Sequence, residues 1–299
     1  MPSKYNRGSC PIQLYVLDLH PTIIRKIMQN TVRHFLKHLS FMAIIAILTT
    51  TSNAKEPHDD IYDVYLLIGQ SNMAGRATMI AADSAMIPGV WLLNAAGEPE
   101  PAKAPLNRYS TIRKAMKMQQ IGPGVSFGEI MYQKTGNKIL LVVNARGGSS
   151  IMSWLPGNDT DRYLEKAESR AKEALTHGKL CGILWHQGET DVERSTPEYA
   201  EKFAEIASHL RNELNAADVP IVVGEIGRWG WEDPEKIELF NDSVLTEVCR
   251  LVPNCAKVSS EGLERLYPDN EKDPHFCRDA QLELGKRYAD AILNFKPAK

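Results

Sequence analysis

The sequence predicts a three-layer α/β/α domain built on a central parallel sheet of about five strands. Three observations carry that prediction. Short aliphatic and β-branched runs alternate five times with amphipathic helical segments between residues 60 and 295. The run at 139–143 has no polar alternation, as expected of a strand covered by helices on both faces. The connections are long enough for crossovers, which parallel pairing requires.

The first strand, Asp63 to Ile68, breaks off at Gly69-Gln70-Ser71-Asn72, where a helix start follows. Ser71 therefore stands at the carboxyl edge of the sheet, where open α/β folds place their chemistry. Its N–H would belong to the positive end of the next helix. A capping serine is the plainer account of any Gly-x-Ser, and it yields here only because later strand ends bring partners. Val90 to Asn94 reads as a second strand, and the Pro- and Ala-rich stretch from Asn94 to Gln120 as an irregular excursion. A helix follows Gly122-Pro123-Gly124 to about Lys134 and stops at Gly136. Lys138 to Asn144 is the central strand, ending in Ala145-Arg146-Gly147-Gly148-Ser149-Ser150. Asp161 to His177 is helical, with Leu164, Ala167, Ala171 and Ala174 on one face. The strand Leu180 to Trp185 ends in His186-Gln187-Gly188-Glu189-Thr190-Asp191. After the helix Pro197 to Asn215, the strand Pro220 to Ile226 runs into Gly227-Arg228-Trp229-Gly230-Trp231. Glu235 to Leu251 is helical, Ala256 to Val258 a short strand and Asp273 to Phe276 a loop; Asp279 caps a closing helix.

With 299 residues, 43% hydrophobic and 24% charged, the chain has ample material for one large domain, expected over residues 60–295. Arg33 and Lys37 precede an apolar run from Phe41 to Leu48 and a Ser-x-Ala site at 52–54, the pattern of a signal peptide over residues 28–54. Residues 1–27 fit no part of it and are expected to be an overextended reading frame or a disordered extension. Residues 1–54 hold six Lys/Arg and one Asp, so removing their +5 takes the formal charge from −2 to −7. Such an acidic product has no general affinity for nucleic acid or anionic membrane, and is expected to be exported to the periplasm or medium. Cys249 and Cys255 are close enough in sequence to bridge in an oxidising compartment. No Cys/His spacing suggests zinc, so neither a metal nor another cofactor is expected.

Right-handed crossovers bring the parallel strands' ends to one edge. Ser71, Gly147-Gly148, Gln187-Gly188-Glu189 and the 227–231 loop meet there, and the loop before the last helix adds His275. These are the parts of acyl transfer. A serine hydroxyl is too weakly acidic to attack an ester unaided, so an imidazole must take its proton. A carboxylate on the far ring nitrogen then sets the tautomer. The N–H groups of Ser71, Gly147 and Gly148, with the Gln187 amide, are the candidate oxyanion donors. Gln70, Asn72 and Arg146 are candidate substrate contacts at the same edge. Arg228, Trp229 and Trp231 make a candidate sugar platform, since indoles stack on pyranose rings and arginine reaches carboxylates.

Gly69-Gln70-Ser71-Asn72-Met73-Ala74-Gly75, Ala145-x-Gly147-Gly148-Ser149-Ser150-Ile151-x-x-Trp154, His186-Gln187-Gly188-Glu189-x-Asp191 and Asp273-x-His275-Phe276 occur in that order. Together they resemble the SGNH-hydrolase branch of sialate O-acetylesterases and family 6 acetylxylan esterases. The resemblance implies a flavodoxin-like fold and metal-independent removal of acetyl groups from sugar hydroxyls, first of acetylated xylan and next of O-acetylated sialic acid. It makes Ser71 the nucleophile and His275 the base, and puts Gln187 where other branches carry an oxyanion-hole asparagine. Many SGNH enzymes have an aspartate three residues before the histidine, but Lys272 stands there. Asp273 and Glu189 are both candidates for the orienting acid. A small-ester or lipid esterase, or a sugar-binding module of weak turnover, are the rival readings.

Overall fold

Every residue of the first strand, β1 (Tyr62–Gly69), is buried, because the strand has neighbours on both edges and helices on both faces. The computed structural model describes residues 61–192, 198–230 and 233–295; the expected leader at 28–54, the segment before it and Trp231 lie outside them. On one edge of β1 runs β4 (Ile139–Ala145) and on the other β5 (Gly178–His186), both parallel to it. Beyond β5 lie β6 (Ile221–Gly224) and β7 (Cys255–Val258), again parallel. Beyond β4 lie β2 (Val90–Leu93) and β3 (Pro99–Pro101). The five strands in the order β4-β1-β5-β6-β7 reproduce the flavodoxin arrangement, and they match the sheet expected from the sequence.

The hairpin of β2 and β3 extends that sheet to seven strands among the described residues. It corrects the expectation of a wholly irregular excursion after Asn94. β3 pairs antiparallel with β2 and sits at the edge, which is where a Pro-Glu-Pro strand is tolerated, since proline has no N–H to give a further neighbour.

The alternation along β1 sorts its side chains between two cores. Val64, Leu66 and Ile68 pack with helices α3 (Tyr163–Ala174), through Ala167 and Ala171, and α5 (Tyr199–Glu213), through Phe203 and Ile206. Tyr65 and Leu67 pack with α2 (Gly124–Thr135), through Phe127 and Met131, and α8 (Arg278–Asn294), through Leu284 and Tyr288. A one-residue slip of β1 would exchange the two faces. Each side chain would then enter the other core, whose packing is shaped for different residues, so the position of Ser71 is set by the core beneath it.

Three local expectations are corrected. The helix after β1, α1 (Ser71–Ala74), is a single turn, too short for a substantial macrodipole at Ser71. The segment 235–251 is divided into α6 (Pro234–Glu238), a wide π turn (Leu239–Val244) and α7 (Leu245–Leu251). The π turn presents Asn241, whose side chain bonds both the N–H and the carbonyl of Ile226, at 3.0 and 3.1 Å. The cap of α8 is Cys277, whose sulfur accepts from the Ala280 N–H; Asp279 lies inside the first turn. Cys249 and Cys255 are free thiols with their sulfurs 3.5 Å apart.

Candidate active site

Three consecutive elements of the central sheet end at one cleft. The chain leaves β1 through Gly69, whose φ of +131° and tight contact with the His186 carbonyl admit no side chain. Ser71 follows at once and is 6% exposed. β4 ends in the turn Arg146 to Ser149, closed by a 3.2 Å bond from the Ser149 N–H to the Arg146 carbonyl. A Cβ on Gly147 would lie 3.5 Å from the Ser71 Cβ and would run into the Arg76 guanidinium, so glycine is what lets this backbone approach the serine. The cleft has a volume of about 330 Å³ and is lined by Ser71, Gly147, Gly148, Asp273 and His275.

The loop before α8 is folded back on itself to aim the histidine. Leu266 N–H donates to the His275 carbonyl at 2.7 Å, and Cys277 N–H to the Glu264 carbonyl at 2.9 Å. Asp273 Oδ1 accepts two bonds of 2.9 Å, from the backbone N–H of His275 and from its ring Nδ1. This is an Asx-type turn, and it shows how a carboxylate two residues away serves where three is the commoner spacing. The carboxylate requires Nδ1 to be the protonated nitrogen, leaving Nε2 as the acceptor. Burial lowers the His275 pKa below the ordinary value, and Asp273 opposes the shift only in part. The ring is therefore neutral at pH 7 and free to take a proton. Ser71 and His275 face the same cleft with no direct hydrogen bond between them, a separation common before substrate closes the site.

Glu189 does not reach this histidine. It begins α4 (Glu189–Val192), is 3% exposed, and its Oε1 accepts from Asn72 Nδ2 at 2.6 Å. Burial pushes its carboxyl up to about 7, against the pull of the Asn72 bond, and Asp191 nearby adds to the rise. The other neighbour, His186 Nε2 at 3.8 Å, is kept neutral because burial lowers that ring's pKa to about 3. A carboxyl raised in the folded state contributes stability in full below about pH 4.5, and that contribution is lost as pH rises through about 7. Relative to Glu189→Gln, the wild type is expected to lose about 3 kcal/mol of unfolding free energy between about pH 5 and 8. Denaturant titrations of both proteins across that range check this; parallel curves would refute it.

Several sequence candidates are turned away from the cleft. Gln187 is fully buried, and its Nε2 donates to Gln70 Oε1, the Ser149 carbonyl and Asp191 Oδ2, at 3.2, 3.0 and 2.5 Å. It cannot also serve an oxyanion. It holds the glycine turn instead, with Asp191, which accepts from Ser150 Oγ and the Ile151 N–H. Asn72 is fully buried and bonded to protein, not open to substrate. Arg146 donates to the Ile112 and Arg113 carbonyls, and Arg228 to Glu225 and Asp242. Trp229 gives its indole N–H to the Asp273 carbonyl at 3.0 Å and sets its edge against Phe276, so it braces the histidine loop. Of the proposed substrate contacts among the described residues, Gln70 alone lines the cleft.

In their place the cleft receives residues that the sequence did not single out as site residues: Arg76, Lys114, Thr190, Asn270 and Lys272. Arg76 Nη1 donates to the Gly75 and Met118 carbonyls, which holds its guanidinium beside the glycine turn. Arg76 closes the Gly-Gln-Ser motif, so its position was a usable signal; nothing local marks Lys114.

Residues 61–294 match the family model described as carbohydrate esterase, sialic acid-specific acetylesterase. The chain belongs to this family. A probable carbohydrate esterase of Arabidopsis thaliana is 27% identical over 250 residues, covering 77% of this chain and 90% of its own. An X-ray structure of an Arabidopsis thaliana protein superposes with a TM-score of 0.67 at 26% identity, over 79% of this chain and all of that one. The fold of NanS is shared at a TM-score of 0.59 and 19% identity, over 79% of this chain and 98% of that one. The esterase is thus a carboxylic ester hydrolase of the SGNH type with carbohydrate acetylesterase activity.

Proposed function

We propose that the esterase works through an acetyl-serine intermediate on Ser71. Ser71 Oγ attacks the acetyl carbonyl carbon while His275 Nε2 takes the hydroxyl proton. The tetrahedral oxyanion lies against the N–H groups of Ser71 and the Gly147-Gly148 turn, each such donor being worth roughly 3 kcal/mol. Collapse breaks the bond to the sugar oxygen, which leaves with the proton from His275. Water then attacks the acetyl group, His275 takes its proton, and acetate departs as Ser71 regains its hydrogen. The observation that carries this reading is the Asp273–His275 bond at 2.9 Å in the cleft that holds Ser71 and Gly147.

The cleft's charge favours an acidic sugar. Lys114 and Lys272 line it, and among the described residues neither ammonium has a protein partner; Arg76 Nη2 points past Gly147 in the same way. Among the described residues Asp273 is its one carboxylate, and it is already engaged by His275. A neutral xylan gives these cations nothing to bind, whereas a carboxylate-bearing sugar does. The ranking from the sequence is therefore reversed, with O-acetylated sialic acid ahead of acetylated xylan. The test is acetate release from both substrates. Lys114→Gln with Lys272→Gln is expected to raise KM about tenfold for the sialic acid ester, a loss of roughly 1.4 kcal/mol overall, and to leave a neutral aryl acetate unaffected. A preference for xylan that survives both substitutions would sink the acidic-sugar reading.

A further inference from the structure

Asn72 follows the nucleophile directly, and its amide bonds the peptide groups on both sides of His275. Nδ2 donates to the Pro274 carbonyl at 3.1 Å, and Oδ1 accepts from the Phe276 N–H at 3.3 Å. The amide's remaining partners are Glu189 Oε1, which accepts from Nδ2 at 2.6 Å, and Gln281 Nε2 of α8, which donates to Oδ1 at 3.1 Å. All of its polar atoms are thus engaged inside a fully buried site. A flipped amide would set Oδ1 against two acceptors and Nδ2 against two donors, so only one orientation is compatible with its surroundings. Glu189 is the partner that faces Nδ2 from the end of β5, and it reaches nothing in the reaction centre itself.

We propose that Asn72 is a positioning residue that sets the separation of Ser71 and His275, and that Glu189 acts through it by holding the amide in register. The proposal rests on the acetyl-serine reading above. The clamp joins the one-turn helix that begins with Ser71 to the loop that carries His275, two segments about 200 residues apart in sequence. Beyond that clamp, residues 267–272 are exposed, which leaves the outer part of the loop little packing of its own. A displacement of about 1 Å between nucleophile and base costs on the order of 10²-fold in rate.

The test measures kcat and KM on an aryl acetate, per folded molecule, for Ser71→Ala, Asn72→Ala, Glu189→Ala and Glu189→Gln. Asn72→Ala is expected to lower kcat about 10²-fold with KM within about threefold of wild type. Glu189→Ala is expected to lower kcat about tenfold, and Glu189→Gln, whose amide oxygen still accepts from Asn72, to recover to within about threefold. Loss of thermal stability with unchanged kcat per folded molecule would overturn the proposal, because that is what packing alone predicts. If Asn72→Ala does not fold, the Glu189 pair decides: equal kcat for alanine and glutamine overturns it. Full turnover by Ser71→Ala would instead remove the serine reading, whereas its inactivity beside an unaffected Asn72→Ala would remove the clamp alone.

Discussion

Ser71→Ala is expected to lower kcat for acetyl ester hydrolysis by at least about 10⁴-fold, with KM little changed. The substitution deletes one oxygen and leaves the backbone donor of residue 71 in place, so binding and oxyanion contacts persist while the acyl acceptor is gone. The site around Ser71 is packed by Gly147 and the buried core, and the smaller alanine fits without displacing either. The protein should therefore fold and melt much as the wild type does. Steady-state kinetics on an aryl acetate, with circular dichroism as the control for folding, is the measurement. Retention of more than about a tenth of the wild-type rate would mean that another group or water delivers the attack.

Asp273→Asn is the second large effect, an expected fall of about 10² to 10⁴-fold in kcat. The carboxylate accepts from Nδ1, so the proton is held there and Nε2 is left free to take one. An asparagine can instead donate to Nδ1, which moves the imidazole proton to Nε2 and removes the base. The same oxygen, Oδ1, also accepts from the His275 N–H, so an asparagine that turns its NH2 towards Nδ1 loosens the turn as well as removing the base. Glu189→Gln in parallel separates the two acids, since Glu189 touches Asn72 and not the imidazole. A small loss in Asp273→Asn beside a large one in Glu189→Gln would make Glu189 the orienting acid and overturn this assignment.

Much of the architecture was legible because it depends on patterns within short segments. Apolar runs of strand length, amphipathic helices and glycine stops place β1, β4 and β5 within a residue or two of where they lie. Gly136 ends α2 with φ of 72° in the manner its position suggests. β2 lies where the sequence placed a strand, but its partner β3 was missed because Pro-Glu-Pro has no strand propensity; only an edge position admits it. The break of 235–251 into a π turn was missed because helical periodicity does not record that Asn241 is needed by Ile226.

The sequence alone determined that Ser71, the glycine pair 147–148 and His275 stand at strand ends and loops on one edge of a parallel sheet. That follows from handed crossovers and from hydrophobic runs, both of which are local. Only the tertiary structure decided which acid meets His275, since Asp273 and Glu189 are equally plausible as residues and differ only in where their oxygens lie. It likewise decided that Gln187 serves the glycine turn and that Asn72 grips the histidine loop. Arg76, Lys114 and Lys272 come from three separate segments, and only folding brings their charges around one cleft. The physical reason is common to all of these. A polar side chain acts through directional contacts over about 3 Å, and contacts between distant segments are set by the packing of the core rather than by any pattern along the chain.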